Sequence, residues 1–257
     1  MACYAEAVIA VAEGEVGYLE KKTNAQLDDK TANAGYNNFT KYWRDTYPAF
    51  QGQPWCDDYI DWLFIATYGK EKADELLCGG SGSYYTVNSA KLFQNQGRLD
   101  RIPKKGDKVF FSRDGTVEGI YHTGLVRNLD NNYIYTNEGN TSSTSGIVPN
   151  GGGVWNKKYL RYLYQGKMWF GHPKYDVKKE EKPVTVSYYA TVNVKTHLKV
   201  RTGPGVSYPE FMLDSGDGTW TPWRFPPAAR VHIVEEKDGW GRVGDTIGWV
   251  SLAYLKR

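Results

Sequence analysis

Apolar positions in the early part of the chain recur at helical spacing, whereas those further on alternate. The periodicity predicts helices over 4–16, 36–43, 55–68, 70–77 and 84–96, and strands over 108–112, 122–128, 133–138 and 168–172. Helices first and strands after is the order of an α+β domain with an antiparallel sheet, not of alternating parallel βα units. Shorter strand patterns follow at 190–194, 199–201, 230–235, 240–243 and 246–251, with Gly, Pro and Asp between them. They predict a small all-β barrel. The stretch SGDGTWTPWRFPPA is polar and proline-rich and is expected to form a loop.

Between the two patterns lies KYDVKKEEKPVTVS, with charges of both signs, a proline and no large apolar run within VKKEEKP. This composition marks a linker. The expected organisation is a domain over 1–175, a linker over 176–187 and a second domain over 188–257.

Within the helix over 55–68, read from GQPWCDDYIDWLF onward, Ile60, Leu63, Phe64 and Thr67 share a face with Cys56. Pro54 helps fix the helix start, so Cys56 falls at the positive end of the dipole beside unpaired N–H groups. Both features favour thiolate over thiol. Asp57 and Asp58 oppose this, since carboxylates near a thiolate disfavour it. Taken alone, the stretch reads first as a packing cysteine, because free cysteine is among the most buried residue types.

A nucleophilic cysteine needs an imidazole base, and the base needs a third group to fix its tautomer. The first domain offers two histidines. His122 begins a β pattern in GIYHTGLVRNL, and His172 sits in FGHPKY ahead of a proline. His122 is the better base, and His172 reads as a structural or surface residue. A hairpin through RNLDNNY returns the strand YIYTNEGN beside His122. Glu138 and Asn140 share strand parity there, and a carboxylate at that place is expected to hold the Nδ1 proton. The competing reading is that Glu138 merely starts a Gly-Asn turn.

Together PWCDDYIDW, PKKGDKVFF, YHTGLV, and YTNEGNTSS followed by GGGV resemble the CHAP family of cysteine amidohydrolases and peptidases, within the papain-like group. The motifs stand in that family's order. The resemblance implies a papain-like α+β catalytic domain in which Cys56 attacks a peptidoglycan amide, His122 is the base, Glu138 orients it and Asn140 completes the site. LKVRTGPGVSYPEF and VHIVEEKDGWGRVGDTIGWVSLAYL resemble the bacterial SH3-like wall-binding module, with the proline-rich insert as a departure. Candidate substrate contacts are Gln53 and Trp55 beside the cysteine, and Trp220 and Trp223 in the insert. Trp240 and Trp249 read as partly core.

The resemblance therefore implies a modular peptidoglycan hydrolase, either an N-acetylmuramoyl-L-alanine amidase or a stem or cross-bridge endopeptidase. A phage or prophage endolysin fits best. A host autolysin and a wall-binding protein with an inactive catalytic half are the alternatives.

Composition narrows the picture. Across 257 residues, 40% apolar and 15% aromatic, the chain has enough apolar content for folded domains. A formal net charge of +3 is too small to suggest nucleic-acid binding. Cys3, Cys56 and Cys78 form neither a disulfide framework nor a zinc pattern. No cofactor or metal is expected, since no DxDxD-type cluster occurs and Asp28, Asp29 and Asp45 are scattered. MACYAEAVIAVAEGEVGYLE lacks the features of a signal peptide, and no stretch reaches the length of a membrane span. The expectation is a monomer made in the cytoplasm that reaches the cell wall through a holin pore or from outside.

Overall fold

The computed structural model describes residues 2–176, 183–216, 219–244 and 248–257. The chain divides into two units, Met1–Lys178 and Lys179–Arg257. No helix among the described residues is long and apolar enough to cross a membrane.

The first unit is α+β. Its helices are α1 (Ala5–Glu15), α2 (Lys41–Thr46), α3 (Cys56–Tyr68), α4 (Lys70–Leu76) and α5 (Thr86–Asn95). Six strands follow: β1 (Leu99–Asp100), β2 (Lys108–Ser112), β3 (Ile120–Leu129), β4 (Tyr133–Thr141), β5 (Gly153–Leu160) and β6 (Met168–Gly171). They form one antiparallel sheet in the order β1-β6-β2-β3-β4-β5. Apolar residues cover both of its faces. Tyr59, Ile60, Leu63 and Phe64 of α3 pack with Phe110 and Leu125 in one cluster. Val109, Phe111, Val126, Tyr159 and Phe170 form another. β2 is buried along its whole length, and alternation sends Phe110 to the first cluster and Val109 and Phe111 to the second.

Three local features differ from the sequence expectation. The helix foreseen over 36–43 begins at Lys41, because Thr40 caps it by accepting from the Trp43 N–H at 3.1 Å. The preceding residues are a loop in which Asn38 has φ of +56° and the Asn37 amide donates to the Lys22 carbonyl. β5 was not foreseen; its consecutive lysines, Lys157 and Lys158, hide the alternation. Lys157 is nevertheless buried, its ammonium satisfied by the carbonyls of Ser142 and Thr144. Beyond β5, residues 17–20 add backbone pairing, with the Val154 N–H donating to Tyr18 and the Glu20 N–H to Gly152.

The second unit is all β. A five-stranded antiparallel sheet runs β14-β13-β12-β7-β15, numbering on through β7 (Val184–Val192), β8 (Leu198–Lys199), β9 (Met212–Asp214), β10 (Trp220–Pro222), β11 (Arg224–Phe225), β12 (Arg230–Lys237), β13 (Trp240–Val243), β14 (Trp249–Ser251) and β15 (Leu255–Lys256). Its core is Ala190, Val192, Leu198, Val200, Val231, Ile233, Val243 and Val250. The insert expected to be loop holds structure: β10 pairs with β9, and β11 pairs with β8. Residues 184–187 of the expected linker are the start of β7, with Thr185 opposite Glu235. Residues 177–182 of that linker lie outside the described residues.

Candidate active site

Cys56 is the first residue of α3, and Trp55, at the N-cap, makes no side-chain capping bond. The helix thus opens with backbone donors that no side chain caps, at the positive end of its dipole. Cys56 is 7% exposed and lines a cleft of about 460 Å³ with Trp43, Gln53, Tyr84, Arg113 and Tyr121.

His122 stands on β3 opposite Phe111, whose ring stacks on the imidazole at 5.6 Å. Its Nε2 lies 2.9 Å from Oε2 of Glu138, and both side chains are wholly buried. The expected contact was to Nδ1, so the tautomer assignment is reversed. Nδ1 has no hydrogen-bond partner among the described residues, and the Cys56 sulfur is near enough to favour the ring's charged form. Burial alone would push the imidazole towards the neutral form. The Cys56 sulfur and the Glu138 carboxylate outweigh it and raise the value to about 9.

Glu138 is held in turn. Its Oε1 accepts from the hydroxyls of Thr136 and Tyr159, the latter at 2.9 Å. Gly124 supplies the room: a Cβ there would meet Glu138 Cγ at 2.6 Å. Sequence reasoning missed Thr136 and Tyr159. Alternation places Thr136 on the same side of β4 as Glu138, which is the signal that could have found it.

The Asp57–Asp58 pair argued against a thiolate, and its first member is balanced from β2. Lys108 Nζ lies 2.9 Å from both Asp57 Oδ1 and Asp61 Oδ1 in a fully buried group. Asp57 Oδ2 also accepts from Ser83 and Ser89. Asp58 is bonded to the Thr46 hydroxyl, and burial pushes its carboxyl well up, towards the neutral form. Asp57 and Asp61 are one helical turn apart, and two carboxylates on one buried face require a cation. Lys108, the first residue of β2 and wholly buried, is that cation.

Other candidates fare differently. Gln53 is exposed at the cleft, and its carbonyl accepts from the Trp43 indole. Trp55 is corrected as a substrate contact: it is fully buried, and its indole donates to Glu20 at 2.8 Å. Asn140 is fully buried in a β-bulge between Glu138 and Thr141, with φ of +54°. The bulge breaks the alternation that was to place it beside Glu138, and its amide bonds neither His122 nor Cys56. His172 is structural, with Nδ1 2.9 Å from Asp107 and Nε2 3.1 Å from Asp100.

In the second unit Trp220 is 61% exposed, whereas Trp223 is corrected from an exposed loop position. Trp223 is half-buried and packs on Phe211 and Phe225 against the core. A groove of about 520 Å³ there is lined instead by Trp240, Tyr254, Val206, His197 and Arg201. Among the described residues no group of three or more His, Cys, Asp or Glu is arranged to hold a metal ion.

No protein-family model matches the chain, and no curated protein sequence matches it. Among solved structures, "The crystal structure of Ly7917 with the hydrolyzing product of MDP" aligns over 96% of this chain and 92% of that one, at 11% identity and a TM-score of 0.39. "The crystal structure of Ly7917" aligns over the same shares at 11% identity and a TM-score of 0.37. Likeness at that level distinguishes neither a fold nor an activity.

Proposed function

We propose that the first unit is a cysteine-dependent amidohydrolase or peptidase acting on peptidoglycan, and that the second unit holds it on the cell wall. The observation that carries the chemistry is the Cys56–His122–Glu138 arrangement at the wall of a cleft. An uncapped helix start presents the sulfur, and the carboxylate occupies Nε2 of the imidazole and leaves Nδ1 unpaired among the described residues. The peptidoglycan assignment rests on the CHAP-like and SH3-like sequence motifs, and a papain-like fold is part of the same reading.

The Cys56 thiol gives its proton to His122 Nδ1, and the sulfur attacks the scissile carbonyl carbon. The resulting oxyanion is met by the N–H of Cys56, with the Gln53 amide at the cleft as a second donor. Collapse breaks the C–N bond as Nδ1–H protonates the leaving amine. Water then attacks the thioester, losing a proton to Nδ1, and the sulfur leaves and regains its proton. Glu138 keeps the ring oriented and its charge balanced through the cycle. Tethering to the wall raises the local concentration of scissile bonds.

Purified sacculi incubated with the full chain test the reading. Soluble fragments are expected from wild type and none from Cys56→Ala, with both proteins pelleting with the walls. Equal release by the two proteins would show that Cys56 is not the nucleophile. Mass spectrometry of the fragments separates the two bond classes: an intact stem peptide freed from MurNAc means amidase, and a severed stem or cross-bridge means endopeptidase.

A further inference from the structure

The cleft beside Cys56 carries one formal charge that no ion pair among the described residues balances. Of its lining residues only Asp57 and Arg113 are charged. Asp57 is spent on Lys108 inside the fold. Arg113, just past the end of β2, is exposed, and among the described residues its guanidinium makes no ion pair or hydrogen bond. Its side-chain contact is the ring of Tyr121, 4.3 Å from the guanidinium carbon. The adjacent carboxylate of Asp114 is turned into its own loop, accepting from Ser112 Oγ at 3.1 Å and from the Thr116 N–H at 2.9 Å. Glu118, in the same loop, pairs with Lys91.

A guanidinium laid over an aromatic face is oriented by the ring while its N–H edge stays available, and that fork matches a carboxylate. Much of the remaining cleft lining is aromatic: Tyr84 stacks on Tyr47 at 5.2 Å and packs on Trp43 and Phe50. Phe50 and Tyr85 remain partly exposed. The cleft therefore offers an aromatic lining for a chain and one positive group. A volume of about 460 Å³ is roughly 10 Å across, the span of about three extended residues, so the charge it reads belongs near the scissile bond.

We propose that Arg113 is a specificity residue that binds an ionised carboxylate on the peptide within about three residues of the cleaved amide. The substrate class is then acidic stem peptides, in preference to those whose carboxylate is capped as the amide. This rests on the peptidoglycan reading above and sharpens it. Arg113 contributes to binding and not to the chemical step, so its loss acts on KM with kcat retained.

Two synthetic muropeptides that differ in one group, free carboxylate or carboxamide, are assayed with the full-length protein. Wild type is expected to prefer the carboxylate form by roughly tenfold in kcat/KM, the scale of one charged hydrogen bond in an open cleft. In Arg113→Gln the preference disappears through a raised KM, and in Arg113→Glu it reverses. Arg113 is exposed, so both variants are expected to fold, which circular dichroism and urea melts confirm. Equal cleavage of the two substrates by wild type, or a preference that survives in Arg113→Gln, overturns the assignment of Arg113 alone. A wild-type protein inert on sacculi and on both peptides overturns the functional reading together with it.

Discussion

His122 Nε2 lies 2.9 Å from Glu138 Oε2, with neither side chain exposed to water. The Cys56 sulfur and this buried carboxylate both favour imidazolium, and against burial they hold the ring's value at about 9, above an ordinary 6.5. The leaving amine needs that proton, so kcat/KM is expected to fall along an alkaline limb near pH 9. Glu138→Gln keeps a hydrogen-bond partner but removes the charge, and the limb should move down by roughly one unit or more. Rate profiles paired with a ¹⁵N imidazole titration of His122 read both values. A limb that stays put in Glu138→Gln assigns it to another group.

The same pair links stability to pH. The folded value lies above the unfolded one, so protonation of His122 stabilises the fold. That contribution is complete below about pH 6.5 and is lost as pH rises through about 9. Its full size is roughly 3 kcal/mol. Urea melts of wild type should weaken between these limits, and His122→Gln should flatten that part of the curve. An unchanged slope in the variant removes His122 from the linkage.

Tyr159 and Thr136 hold Glu138 from the side opposite His122, and their hydroxyls touch no reacting atom. Tyr159→Phe should lower kcat by roughly tenfold at unchanged KM and cost about 1–3 kcal/mol, since one carboxylate oxygen loses a buried donor. A change confined to KM would place Tyr159 in substrate binding instead. Thr136→Val should act in the same direction, and Thr136→Ser should restore most of the rate by keeping the hydroxyl.

Lys108 has a structural task, and its removal exposes it. Lys108→Met leaves Asp57 and Asp61 facing each other without a cation, a change expected to cost about 3–5 kcal/mol. Adding Asp57→Asn and Asp61→Asn to it should recover most of that loss. Chemical denaturation of the single and triple variants measures both steps. A single variant as stable as wild type would mean that the two carboxylates do not depend on Lys108.

These side chains show where the sequence was legible. α3 and its lone cysteine were readable because Pro54, the helical spacing of Ile60, Leu63 and Phe64, and the first-turn acids all mark one start. His122 and Glu138 followed from the short connection that pairs β3 with β4. What stayed hidden depends on contacts distant in sequence. Lys108 meets Asp61 across 47 positions, and no local pattern says which strand answers a helix's carboxylates. Trp55 looked like a cleft aromatic because its tie to Glu20, 35 positions away, cannot be read locally. The Nε2 contact of Glu138, opposite to the expected Nδ1, depends on ring orientation, which strand parity leaves open. The bulge at Asn140 falls where a strict two-residue period was assumed.

Asn140 tests that bulge directly. Its φ of +54° is a left-handed backbone state that glycine adopts freely, asparagine tolerates and β-branched residues resist. Its carbonyl accepts from the Gly151 N–H at 2.9 Å, so the backbone there carries the turn that follows β4. If the conformation is what matters, Asn140→Gly should keep kcat within about twofold, whereas Asn140→Val should cost roughly 1–3 kcal/mol and lower kcat as Glu138 loses its register. Asn140→Ala should fall between them in stability. Steady-state kinetics alongside urea melts separates the two roles. An Asn140→Gly protein that is as stable as wild type yet as inactive as Cys56→Ala would mean that the amide itself acts in the chemistry, as the CHAP-like motif implied.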